Sequence, residues 1–257
     1  MRDIQNERDA RNISIDKVGI KGIVYPVVLE DKKKGLQHTN ASINMYVQLP
    51  QDFKGTHMSR FVEILNDNRE NMGISSVWKI LEEMKLKLGS SDAHIELFFK
   101  YFREKEAPVS GLTSIMDYTC EYYASLTNEE RDFTLCIKVP VMTLCPCSKE
   151  ISEYGAHNQR SIITIKVRFK KMLWIEELIE IAESSASSPV YPLLKREDEK
   201  FVTEYSYNNP VFVEDVVRSV AEKLMAENRI IWFEVSSENF ESIHNHSAYA
   251  VIVRDKR

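Results

Sequence analysis

Residues 41–49 alternate without a break. Ala41, Ile43, Met45, Val47 and Leu49 fall on one side, and Ser42, Asn44, Tyr46 and Gln48 on the other. A period of two marks a strand with one buried face, so this stretch predicts one. The run V-G-I-K-G-I-V-Y-P-V-V-L before it is a second strand candidate. The period then changes. Met58, Phe61, Val62 and Leu65, and after them Val77, Ile80, Leu81, Met84 and Leu88, recur every three or four residues and predict two amphipathic helices. Gly73, ahead of Ser75 and Ser76, punctuates between them. Strands return around 92–104, marked by Ala93, Ile95, Leu97 and Phe99, and around 113–125.

The second half repeats this order. Phe133, Leu135, Ile137, Val139 and Val141 form one strand face, and Ile163, Ile165, Val167 and Phe169 the next. A helix is expected from about Leu173, with Trp174, Leu178 and Ile181 on one side. Another follows Asn209-Pro210, carrying Val213, Val216, Val217, Val220 and Leu224. Strands close the chain around 230–236 and 247–254. The pattern is ββααββ twice, split near residues 126–131, which gives modules over 1–127 and 128–257. The expected class is α+β, with antiparallel sheets and helices on one face. Open sheet edges favour a homo-oligomer whose sheets join between chains. Two breaks, 143–160 and 185–210, read as long loops of the kind that carry function. The charged start, M-R-D-I-Q-N-E-R-D-A-R-N, reads as a frayed leader.

Composition narrows the partners. Of 257 residues 43% are hydrophobic and 28% charged, which is ordinary for a globular chain. A net charge of -5 gives no footprint for nucleic acid. No apolar run nears the ~20 residues that cross a bilayer, and the start lacks a signal-peptide core. Four cysteines are too few for a disulfide scaffold of this length, so a reducing cytoplasm is expected, with thiols free for chemistry.

Two of those thiols stand in T-L-C-P-C-S, as Cys145 and Cys147. A zinc clip spaces its cysteines by two to four residues, and here the spacing is one. An extended C-x-C would present both side chains on one face. That suits one metal ligand beside one group that meets substrate, although two buried thiols would also satisfy the pattern. Cys120 and Cys136 lie in predicted strands and read as buried. His157, in Y-G-A-H-N-Q-R, follows a glycine and can reach a metal, since imidazole and thiolate both suit zinc-like ions; a surface histidine is the plain alternative. Near the end, Glu241, His244 and His246 stand in N-F-E-S-I-H-N-H, the histidines in phase with Ala248 and Ala250. They can shuttle protons, bind metal, or simply sit in solvent. Glu214, in the first turn of a helix, serves the helix dipole or pairs with the N–H edge of a guanine-like ring. Glu199 is one acid among several. In G-T-H-M-S-R-F, Ser59 can cap a helix, and His57 with Arg60 makes its start a phosphate candidate.

Taken together, L-C-P-C-S-K-E-I-S-x-Y-G-A-H-N-Q-R-S, G-T-H-M-S-R-F, N-P-x-F-V-E-D and N-F-E-S-I-H-N-H-x-A resemble GTP cyclohydrolase of type I B, over Gly55 to Ala248. The Cys-x-x-His pair of the type I A enzymes does not occur. The resemblance implies a bimodular tunnelling fold assembled as a homotetramer, with active sites at subunit interfaces. It implies conversion of GTP to 7,8-dihydroneopterin triphosphate and formate, the first step towards folate. Carried over by motif, Cys145, His157 and Glu199 would hold a divalent ion, zinc or manganese, with Glu197 and Asp198 as alternatives in register. Glu214 would anchor guanine. Cys147, Glu241, His244 and His246 would line the reacting centre. His57, Arg60 and Arg160 are candidates for the triphosphate on charge and placement. Two rival readings remain open: a nitrile reductase of the same fold, whose Glu-Ser-Lys-type motif is not visible, and a non-catalytic pterin- or metal-binding module.

Overall fold

A computed structural model describes residues 5, 7–128 and 130–257. The chain forms two compact units, one of residues up to 100 together with 121–134, the other of 101–120 together with 135–257. The sequence suggests a linear boundary, but the units are not linear, because residues 101–120 group with the second.

The first unit is built on β1 (Ile15–Asp31) and β2 (Gly35–Leu49), a long antiparallel hairpin. Its turn follows from local chemistry. The Asp31 carboxylate accepts from the amides of Lys33 (2.8 Å) and Lys34 (2.7 Å), and Gly35 takes a φ of +81°. Next to β2 runs β3 (Ala93–Glu106), antiparallel, with Ile43 opposite Leu97 and Met45 opposite Ile95. Helices α1 (Met58–Asn68) and α2 (Val77–Leu88) cover the alternating apolar face. Phe61, Ile64 and Leu65 of α1 and Ile80, Leu81 and Met84 of α2 are buried with Ile43 and Met45. Burial of each such side chain contributes about 1.5–3 kcal/mol, which outweighs helix propensity in fixing these elements. Ser59 does not cap α1: it lies inside the helix, and the N-cap is His57, whose carbonyl accepts from the Arg60 amide at 3.2 Å. The expectation of a frayed leader falls partly on residues 1–4 and 6, outside the described ones. Gln5 and Glu7 are instead paired, their carbonyls accepting from the amides of Gly55 (3.1 Å) and Lys54 (3.0 Å).

In the second unit β5 (Arg131–Leu144), β6 (Asn158–Phe169), β8 (Ile230–Asn239) and β9 (Ala248–Asp255) pair antiparallel in that order from residue 135 onward, and the two-residue β7 (Ser188–Pro189) pairs with β5. Helices α4 (Ile175–Glu183) and α6 (Val213–Ala226) bury Leu178, Ile179, Val216, Val217, Val220 and Leu224 against them. The end of β3 and the start of β4 (Thr113–Leu126) lie against α4: Lys105 Nζ meets Glu183 Oε1 at 2.6 Å, and the Tyr118 hydroxyl donates to the same oxygen at 2.8 Å. Burial pushes the Lys105 amine below its ordinary value, and Glu183 opposes that shift.

The two expected loops both contain helices. Residues 146–151 form α3 (Pro146–Ile151), and residues 196–208 form α5 (Arg196–Asn208). The first is six residues long, too short for a periodic signal. The second buries only Asp198 and Ser206, so it has no apolar stripe to read. Its acidic first turn, Glu197, Asp198 and Glu199, is the start signal that the sequence did offer.

Candidate functional site

The site forms where the buried face of the strands in the second unit turns polar. Along β6 the core-facing residues are Val167, Ile165 and Ile163, and then Ser161 and Gln159, all buried. On β5 the matching change is from Val141 to Thr143, and on β8 from Val235 to Ser237 and Asn239. Strand parity carries this face on to His157, two residues before Gln159.

Backbone pairing brings three segments together at that end. Past β5, the Cys145 amide donates to the His157 carbonyl at 3.1 Å. Past β8, the Phe240 amide donates to the Arg160 carbonyl at 3.0 Å, which sets Glu241 beside β6. Glu241 Oε2 then stands 3.7 Å from His157 Nδ1, with both side chains only 14% exposed. Gly155, at a φ of +83°, supplies the left-handed residue that turns the chain back from α3 into β6.

The extended C-x-C expected from sequence is replaced by a helix start. Cys145 is the N-cap of α3, Pro146 takes the first helical position, and Cys147 follows in the first turn. The two thiols differ in consequence. Cys145 is half-buried, and its Sγ accepts from the Ser148 amide at 3.4 Å, whereas Cys147 is exposed. Ser148, which the sequence reading missed, ties the corner together: its hydroxyl donates to the Cys145 carbonyl at 3.1 Å and accepts from the His157 amide at 3.1 Å. Cys120 and Cys136 are buried, as expected.

Glu214 is exposed in the first turn of α6. His244 and His246 are exposed in the segment before β9 rather than on a strand, with ring centroids 5.1 Å apart and nearly parallel. Arg160 is exposed and alternates to the sheet face opposite Gln159 and Ser161. In the first unit, His57 and Arg60 line a cavity of about 220 Å³ with Phe53 and Lys87, and Arg60 Nη1 donates to the Lys87 carbonyl at 2.8 Å.

Of the three acids in register on α5, Asp198 is spent. It is fully buried, accepting from the amides of Val109, Ser110 and Lys195 and from the Ser110 hydroxyl at 2.7–2.9 Å. Burial alone would raise its carboxyl, but these hydrogen bonds outweigh it and hold the group well below the usual carboxylate range. Glu197 and Glu199 stay exposed. The end of α5 that meets α3 is the other one, where Lys149 Nζ donates to the Tyr207 carbonyl at 2.6 Å. Glu199 lies eight residues before Tyr207, about 12 Å along a helix. Among the described residues no three thiol, imidazole or carboxylate groups gather closely enough to hold an ion. What is assembled is a soft sulfur and an imidazole on paired backbone, beside a carboxylate. That donor set fits two positions of a zinc- or manganese-type site.

A family model described as type I GTP cyclohydrolase FolE2 matches residues 1–250. A GTP cyclohydrolase FolE2 of Geotalea uraniireducens is 63% identical over 257 residues, covering 100% of this chain and 94% of the relative. One from Pelobacter propionicus is 56% identical, with 100% of both chains covered. Among solved structures, a uricase from Bacillus fastidious aligns with a TM-score of 0.58 at 7% identity, over 94% of this chain and 93% of that one. A uricase from Arthrobacter globiformis gives 0.52 at 7%, with 94% of each chain covered. Likeness at that identity concerns the fold, and it is a likeness to the tunnelling fold of the urate oxidases.

Proposed function

The chain belongs to the type I GTP cyclohydrolase FolE2 family, which makes dihydroneopterin triphosphate for folate synthesis, and from that premise we propose how its residues divide the work. The reaction class is hydrolysis at C8 of the guanine imidazole ring, with formate released. The observation that carries the reading is the junction of Cys145, His157 and Glu241 on three paired segments at the polar end of one sheet. Of the three readings the sequence left open, the cyclohydrolase is the one that the relatives support.

Cys145 and His157 would hold a divalent ion, zinc or manganese, and Glu199 would complete the set once assembly or movement of α5 brings it near. When bound, such an ion supplies the Lewis acidity that makes water a nucleophile at neutral pH. The remaining roles belong to side chains. C8 becomes electrophilic when N7 carries a proton, and His244 with His246, exposed and adjacent, can deliver one. Glu241 is placed to exchange protons at the same centre. Cys147, exposed one helical position past Pro146, offers a thiol to substrate. Glu214 anchors the guanine N–H edge with its carboxylate. His57, Arg60 and Arg160 are the cations proposed for the triphosphate. The working form is a homotetramer with its sites at subunit interfaces, in the cytoplasm, where free thiols persist. Among the described residues no helix is long and apolar enough to cross a membrane.

The two cysteines give the direct test. Cys147→Ala should abolish formate release and retain the ion in elemental analysis. Cys145→Ala should lose the ion. The reverse pattern would mean that the two roles are exchanged.

A further inference from the structure

We propose that Gln159 is a positioning residue for His157: its amide oxygen accepts a hydrogen bond from Nδ1–H, which leaves the Nε2 lone pair free for the ion. The proposal rests on the reading of His157 as a metal ligand and adds the residues that orient it.

The geometry is a chain of buried polar atoms. His157 Nδ1 lies 3.1 Å from Gln159 Oε1. The other end of that amide, Nε2, donates to Thr143 Oγ1 at 2.8 Å. Thr143 Oγ1 is 2.8 Å from Ser161 Oγ. Thr143 and Ser161 are fully buried, and Gln159 is 6% exposed. Register explains the meeting, since Thr143 lies opposite Gln159 across β5 and β6, with Ser161 two residues further on the same face. The preceding positions on this face are Val139, Val141 and Ile163. Hydroxyls and an amide in such a place need partners, and a side chain held at both ends cannot turn.

The orientation selects a tautomer. His157 Nδ1 faces two oxygens, Gln159 Oε1 at 3.1 Å and Glu241 Oε2 at 3.7 Å. A neutral imidazole carries one N–H, and two facing acceptors place it on Nδ1. Nε2 is then the nitrogen with a lone pair, as ligation requires. Turning the Gln159 amide over would satisfy Thr143 equally well. It would also set an N–H against Nδ1, aim the Nδ1 lone pair at the Glu241 carboxylate, and close Nε2 with a proton.

The experiment uses the full chain with Gln159→Met, Gln159→Glu and His157→Ala. Zinc affinity is measured by competition with a chromogenic chelator. The His157 tautomer is read in metal-free protein by solid-state NMR with ¹⁵N-labelled histidine, the signal being assigned by its loss in His157→Ala. Gln159→Met should weaken zinc about 10–100-fold, the range for lost outer-shell partners, and shift His157 away from the Nδ1–H form. Gln159→Glu keeps an acceptor facing Nδ1 and should restore both readouts towards the unsubstituted protein. Thr143→Val, which frees the far end of the amide, should weaken zinc several-fold and serves if Gln159→Met does not fold. Unchanged zinc affinity and tautomer in Gln159→Met or, if that does not fold, Thr143→Val would overturn the proposal while leaving His157 as a ligand. Unchanged affinity in His157→Ala would overturn the ligand reading as well.

Discussion

One residue of register separates Asp198, whose carboxylate is consumed by the fold, from Glu199, whose carboxylate is left in solvent. In the string R-E-D-E-K the three acids look equivalent, because side-chain type says nothing about which turn of a helix meets a hairpin tip. The structure decides through four hydrogen bonds to Asp198 from residues 109, 110 and 195. Asp198→Asn replaces an acceptor with a donor facing those groups, so its melting temperature should fall by several degrees. Glu199→Gln breaks no such bond and should melt within about a degree of the unsubstituted protein, since surface changes of this kind are small. Equal melting of the two variants would contradict the distinction. The placement of side chains was legible where they sat at strand ends. Cys145, His157 and Glu241 come together because β-pairing is local and regular. His244 and His246, read as in phase with Ala248 and Ala250, stand just ahead of β9, which begins at Ala248, one residue after the expected 247.

At the scale of elements, strands and core helices were readable because each carries an apolar face of the right period. Val213, Val216, Val217, Val220 and Leu224 mark α6 in the sequence and are all buried in the fold. Helices α3 and α5 were not readable, since neither buries an apolar stripe. The strand β9 is only partly covered. It stands at the end of its sheet, and Tyr249, Val251 and Val253 on one of its faces are 62%, 48% and 46% exposed. A long apolar strand at a sheet end is an aggregation hazard unless something covers it. The proposed self-association supplies the cover. Val251→Lys should therefore lower the mass measured by light scattering at micromolar concentration. A mass equal to that of the unsubstituted protein would show that β9 is not part of the contact.

For the whole molecule, the repeated ββααββ pattern leads to the α+β class, the likeness to solved uricases leads to the tunnelling fold, and the relatives place the chain in the GTP cyclohydrolase FolE2 family. Among the described residues no three such donors gather closely enough to close a metal centre, and Glu199 is exposed on α5. The proposed function requires an ion held by Cys145, His157 and Glu199 for turnover. It is tested most directly by formate release from GTP, using protein stripped by chelator and shown by elemental analysis to be metal-free. Stripped protein should release no formate, and zinc or manganese added back should restore release. Formate released at the full rate by metal-free protein would contradict that requirement.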